Sequence, residues 1–120
     1  MGVAMIYICN SFSLSMLDAW RLEDAESRTQ IRVTPVSDPR AWLAEAESLH
    51  GKSVSAVGHA DTAALFSDIL CRSVEFNRVS IKLDESTELL VGQLCGPRPP
   101  EGSTTLPEGA TIKWLSVSIE

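Results

Sequence analysis

Residues Val3 to Cys9 form a short, nearly continuous apolar run that stops at Asn10 and Ser11. A run of this length with no polar alternation reads as a buried central strand, ended by a polar loop. Such a strand commits the chain to building a sheet around it and covering that sheet. After Ser13, the residues Leu14, Met16 and Leu17 add a helical turn or two, whereas the mixed, acidic stretch from Asp18 to Ser27 has no readable pattern. Ile31, Val33 and Pro35 to Val36 alternate with Gln30, Arg32 and Thr34 and predict a second strand, with Pro35 placing it at an end or an edge.

Ser37-Asp38-Pro39 supplies a capping side chain followed by proline at a first helical position. Trp42, Ala46 and Leu49 then recur at helical spacing until Gly51, which predicts a helix over roughly residues 39 to 50. Ser53 to Val57 is a third strand, broken by Gly58-His59, and Asp61 is expected to cap a second helix whose buried stripe is Leu65, Phe66, Ile69 and Leu70. Val79, Ile81 and Leu83 alternate with Ser80, Lys82 and Asp84, and the turn-like Asp84 to Thr87 leads into Leu89 to Cys95, the pattern of a hairpin. Prolines and glycines make residues 96 to 110 a stiff loop, and Thr111 to Ile119 is the final strand. The order predicts an α/β fold, a single domain over residues 1–120 with a mixed sheet of five or six strands flanked by helices and no internal repeat.

Composition narrows the function classes. The chain has 120 residues, 44% of them hydrophobic, enough for one real core. Its three cysteines, Cys9, Cys71 and Cys95, are widely spaced with no Cys-x-x-Cys pair, so neither a disulfide framework nor a thiolate zinc site is supported, and a reducing compartment fits. The apolar opening has no basic leader and is too short for a signal or a span, so the expectation is a soluble cytoplasmic protein with no membrane contact. A net charge of -6 disfavours duplex nucleic acid, while a small anion held by a few placed arginines is compatible with it.

His59 falls where a strand ends and a helix begins, a junction whose backbone N–H groups favour an anion. Asn10 and His59 both follow strand ends, where ligands of open α/β sheets bind. The alternative for His59 is a loop histidine that helps to cap the helix. Arg78 follows Phe76-Asn77 at the entrance to a predicted strand and is either a bidentate phosphate ligand or a solvated side chain. Arg98 and Glu101 lie in the proline-rich loop Gly96-Pro97-Arg98-Pro99-Pro100-Glu101-Gly102, held there as two positioned polar groups or as a local ion pair. Gln93 is a network member if buried and otherwise lies on the exposed face. The cysteines read as small core residues and the tryptophans as packing or interface residues. The two histidines are nine residues apart, and no carboxylate cluster has metal-ligand spacing. No nucleophile elbow and no phosphate-binding glycine loop occur.

The ordered set Ile6-Tyr7-Ile8-Cys9-Asn10-Ser11-Phe12-Ser13-Leu14-Ser15-Met16-Leu17, Val57-Gly58-His59, Asn77-Arg78, Gln93 and Arg98-Pro99-Pro100-Glu101-Gly102 resembles the viral ring nuclease family, the type III anti-CRISPR proteins and their cellular relatives. The resemblance runs from about residue 5 to the C-terminus, leaving residues 1–4 as an N-terminal extension. It implies a homodimer that binds cyclic tetra-adenylate in a pocket shared across a two-fold axis and cuts it, without metal or cofactor, to linear di-adenylate carrying a 2',3'-cyclic phosphate. That cut would switch off type III CRISPR signalling. The resemblance casts His59 as the acid that protonates the leaving 5'-oxygen, with Glu101 as the loop glutamate beside it. Asn10, Ser11, Ser13, Arg78, Gln93 and Arg98 would contact the ligand. The alternatives are a binding module that sequesters a cyclic oligonucleotide without turnover, and a structural protein whose surface is its function.

Overall fold

A computed structural model describes residues 3–97 and 106–120. The apolar run becomes strand β1 (Met5–Cys9), which has a parallel neighbour on each side. On one side is β3 (Ser53–Ser55), with Ile8 opposite Ser55, and on the other β4 (Thr87–Cys95), with Ile8 opposite Leu90. Both faces of β1 are covered, since Ile6 and Ile8 point into one core and Cys9 into the other. A strand buried on both faces has no use for alternation, which is why its sequence shows none.

Beyond β4 the sheet continues antiparallel through β5 (Thr111–Ile119) to the edge strand β2 (Ile31–Pro35), in the order β2-β5-β4-β1-β3. The result is a mixed α/β domain with a five-stranded sheet flanked by helices, as expected. Pro35 closes an edge strand, the position a residue without a backbone N–H tolerates. A five-residue helix, α1 (Ala19–Glu23), occupies part of the stretch that has no sequence pattern. Among the described residues no helix is long and apolar enough to cross a membrane.

Helix α2 (Pro39–His50) starts as its sequence predicts: Asp38 accepts a hydrogen bond from the Ala41 N–H at 3.1 Å and Pro39 opens the first turn. Its buried stripe is rotated from the expected one. Leu43 and Ala46 are buried beside the partly buried Trp42, while Leu49 is 69% exposed. At about 100° per residue, a stripe centred between positions 42, 43 and 46 leaves position 49 on its flank. Helix α3 (Ala60–Leu70) has His59, not Asp61, at its N-cap; Asp61 lies in the first turn, where a carboxylate suits the helix dipole. Ala63, Phe66 and Leu70 face the sheet, and α2 and α3 together cover the face that carries Ile6, Ile8 and Leu90.

The expected hairpin over residues 79 to 95 is not there. Residues 79 to 84 form no strand, because both edges of β4 are taken, one by β1 and the other by β5. The alternation instead records burial. Ile81 and Leu83 cover the second face of the sheet with Leu17, against Leu89, Val91 and Val117, and the Leu83 N–H donates to the Met16 carbonyl at 2.7 Å. The turn that follows does form, with Asp84 accepting from the Ser86 N–H at 2.9 Å and from the Thr87 hydroxyl at 3.0 Å.

Gly92 in β4 lies under α3 with no room to spare. A Cβ there would stand 2.7 Å from the Phe66 ring and 2.7 Å from the Trp114 ring, and these two rings pack tilted at 4.8 Å. Gly92→Ala is expected to lower stability by about 1–3 kcal/mol through overpacking, measured by urea denaturation.

Candidate functional site

The three parallel strands β1, β3 and β4 run in one direction, so their carboxyl ends share one margin of the sheet. Asn10, partly buried, follows β1 directly. Past β3 the Ala56 N–H still bonds the Ile8 carbonyl at 2.8 Å, and the chain then passes through Val57 and Gly58 to His59. His59 has extended backbone angles (φ -139, ψ 125), its carbonyl accepts from the Ala63 N–H, and its exposed imidazole makes no capping hydrogen bond. His59 therefore caps the helix through its backbone, and its side chain takes no part in the cap.

Asn77 brings Arg78 to the same place. The outer edge of β3 is lined by residues 75–77: the Ser55 hydroxyl donates to the Glu75 carbonyl at 2.6 Å, and Phe76 forms an isolated parallel bridge with Val57. The Asn77 N–H donates to the Val57 carbonyl at 2.9 Å, and its side-chain Nδ2 to the Ser55 carbonyl at 2.7 Å. This clamp delivers Arg78 to Gly58, whose carbonyl accepts from Nε at 3.3 Å and from Nη2 at 3.2 Å. The guanidinium thus sits at the peptide that joins Gly58 to His59. Other basic side chains face carboxylates: Arg21 pairs with Glu85, Arg32 with Glu120, Arg72 with Glu47 and Lys82 with Asp18. Arg78 rests on a neutral carbonyl, as Arg28 does on those of Ala25 and Ser27, and among the described residues no carboxylate pairs with it.

The remaining residues join this pair less closely. The Ser13 hydroxyl caps a single 3-10 turn (Leu14–Met16), accepting from the Ser15 N–H at 3.2 Å. Ser11 is exposed, and its N–H donates to the Cys9 thiol, which burial pushes up to about 12. Cys9 is accordingly an inert core residue, as its apolar context implies. Gln93 is exposed and lies opposite Lys113; since Gly92 faces α3, Gln93 faces the other side of the sheet, two strands or about 10 Å from β3. Arg98 and Glu101 lie outside the described residues. Sequence reasoning missed the clamp by Asn77, for which the residue pair Asn77-Arg78 was the one available signal.

A groove of about 610 Å³ opens at the other end of the sheet, between α2 and the end of α3, lined by Asp38, Arg40, Leu43, Glu47, Leu70 and Arg72 among others. Two of its charged groups, Arg72 and Glu47, are engaged with one another. Arg72 donates to Glu47, which also accepts from the Ser53 N–H at 3.1 Å and hydroxyl at 2.8 Å. We read it as a structural seam and place the candidate site at the strand ends, where exposed groups converge. Arg72 holds the Glu47 carboxyl at about 2, against an ordinary 4.5.

A protein-family model, STIV B116-like, matches residues 6–113. Among solved structures the chain is similar to B116 of Sulfolobus turreted icosahedral virus, with 22% identity, 95% of this chain and 98% of that chain covered, and a TM-score of 0.69. At that identity the likeness shows the fold. No curated protein matches the chain. The family expected from the sequence is thereby corrected. The matching model is STIV B116-like rather than one of ring nucleases, and neither description names such an activity. The motifs behind that resemblance are short and individually unspecific, and Arg98 and Glu101 among them fall outside the described residues.

Two outcomes follow from these bonds. The low Glu47 value stabilises the fold above pH 4.5, and that contribution is lost as pH falls towards 2. Glu47→Gln is expected to cost about 1 kcal/mol near pH 7, allowing for solvent around the pair, and the gap to wild type should close between pH 4.5 and 2 in thermal melts. Asn77→Ala removes the donor to the Ser55 carbonyl, so amide hydrogen exchange over residues 75–79 should accelerate, with a loss of about 1 kcal/mol in global stability.

Proposed function

The chain belongs to the STIV B116-like family, and from its geometry we propose that it is a phosphodiesterase that opens cyclic tetra-adenylate, leaving linear di-adenylate with a 2',3'-cyclic phosphate. The observation that carries this reading is the Arg78 guanidinium fixed on the Gly58 carbonyl, at the peptide that leads into exposed His59 at the N-terminus of α3. A phosphate drawn to Arg78 and to the first N–H groups of α3 would stand next to the imidazole.

The chemistry asks little more of the protein. A ribose 2'-hydroxyl attacks the adjacent phosphorus, forming the 2'-O–P bond as its proton passes to water. The P–O5' bond breaks, and His59 in its protonated form delivers a proton to the departing oxygen; the same step at the opposite linkage of the ring, by the second subunit of a homodimer, releases two di-adenylates. Substrates of this kind carry their own nucleophile, so a positioned acid and a cation are the groups the site has to supply.

The net charge of -6 favours a compact anion over a long polyanion. A ring of four phosphates is such an anion, and a homodimer would present Arg78 and His59 twice around it. Asn10, Ser11 and Ser13, which follow β1, are polar groups suited to sugar, phosphate or base, while Gln93 would reach the ligand only from the opposite face of the sheet. The fold likeness to a viral protein accords with an agent that removes a messenger of type III CRISPR immunity in the cytoplasm of an infected cell.

Incubating wild type, His59→Ala and Arg78→Ala with cyclic tetra-adenylate and a chelator, with products separated by chromatography, tests the proposal. His59→Ala should lower kcat by about 10²- to 10⁴-fold while leaving affinity nearly unchanged. Arg78→Ala should weaken binding by about ten- to a hundredfold. Full turnover in His59→Ala, or no binding of the ring by wild type, would defeat it. Tight binding with no turnover in wild type would instead identify a sequestering protein.

A further inference from the structure

Phe76 is 55% exposed and belongs to neither hydrophobic core. Its backbone forms the bridge to Val57 at the margin of β3, and the Arg78 guanidinium carbon lies 6.0 Å from its ring centroid. Residues i and i+2 of an extended segment share a side, about 7 Å apart along the chain, so Phe76 and Arg78 face the same region. Core packing does not account for an aromatic side chain here, and the fold would lose little with a polar residue in its place.

We infer that Phe76 is the platform on which a nucleobase of the ligand stacks, while Arg78 holds the phosphate joined to that base through one sugar. This rests on the phosphodiesterase reading above and adds a base subsite to it. The pairing of an exposed flat ring with a cation two residues away suits a nucleotide, whose π-face and phosphate have that same division. Stacking on phenylalanine tolerates any base, so this subsite supplies affinity, and discrimination for adenine would come from hydrogen-bonding groups elsewhere on the margin.

Steady-state cleavage of cyclic tetra-adenylate by wild type, Phe76→Ala, Phe76→Leu and Phe76→Trp tests the inference, with circular dichroism to confirm folding and sedimentation to report oligomeric state. Phe76→Ala and Phe76→Leu should raise KM by about five- to a hundredfold with kcat nearly unchanged, because both remove the π-face. Phe76→Trp should keep the wild-type KM. In a His59→Ala background its fluorescence should change on adding the uncleaved ring by more than that of the three native tryptophans in His59→Ala alone. An unchanged KM in Phe76→Ala, or a wild-type KM in Phe76→Leu, overturns the base subsite and leaves the activity standing. A change in sedimentation that accounts for the KM effect would make Phe76 a contact between copies and likewise overturns it. Should Phe76→Ala fail to fold, the leucine and tryptophan variants decide by the same criteria. If wild type neither binds nor cleaves the ring, the phosphodiesterase reading fails and this inference fails with it.

Discussion

How closely α3 lies against the sheet sets where His59 stands, and Gly92 controls that distance. The Phe66 ring fills the space that any side chain on residue 92 would need, and Trp114, opposite Gly92 in the β4–β5 register, closes the wedge from β5. Phe66 is two helical turns from His59, about 10 Å along a rigid rod, so a shift at the ring is carried to the N-terminus of α3. The strand register, the bare glycine and the aromatic pair therefore act on the position of the imidazole although none is near it. Arg78 is seated independently, by the Asn77 clamp on β3, and the two seats meet at the Gly58–His59 peptide.

The elements whose signals are local were readable from the amino acids. β1 shows its double burial as an unbroken apolar run, β2 its edge position as Pro35, and α2 its start as Asp38-Pro39. The alternation from Val79 to Leu83 yields no strand, because alternation reports which side chains are buried and not what the backbone bonds to. Leu83 is fully buried under Leu89 and bonds Met16, with no ladder involved. The N-cap of α3 is His59, two residues before Asp61, because the backbone of His59 is already extended ahead of the first turn, and the helix begins without a side-chain capping bond from that residue.

The candidate site was legible in part for the same reason. His59 and Arg78 could each be singled out from local context, a strand-to-helix junction and a strand entrance. Their meeting could not, since it depends on a side-chain bond from Asn77 to a three-residue strand elsewhere in the chain. Gln93 was placed in its strand, but its face follows from Gly92 pointing at α3, which only packing determines. The acidic balance conceals the site as well. Four basic side chains are matched with carboxylates, whereas among the described residues the partner of Arg78 at the Gly58–His59 peptide is a carbonyl, which carries no opposing charge.

The two margins of the sheet have one more consequence. Glu120 donates its N–H to Gln30 and Val36 donates to Trp114, so in β2 it is Ile31, Val33 and Pro35 whose backbone groups turn away from β5. The proline has no donor to give, and a foreign strand laid there would run out of partners after two residues. At the opposite margin, residues 75–77 already occupy the rim of β3. Both flanks of the sheet are thereby poor templates for a strand of a second copy, one because Pro35 withholds a donor and the other because residues 75–77 already occupy it.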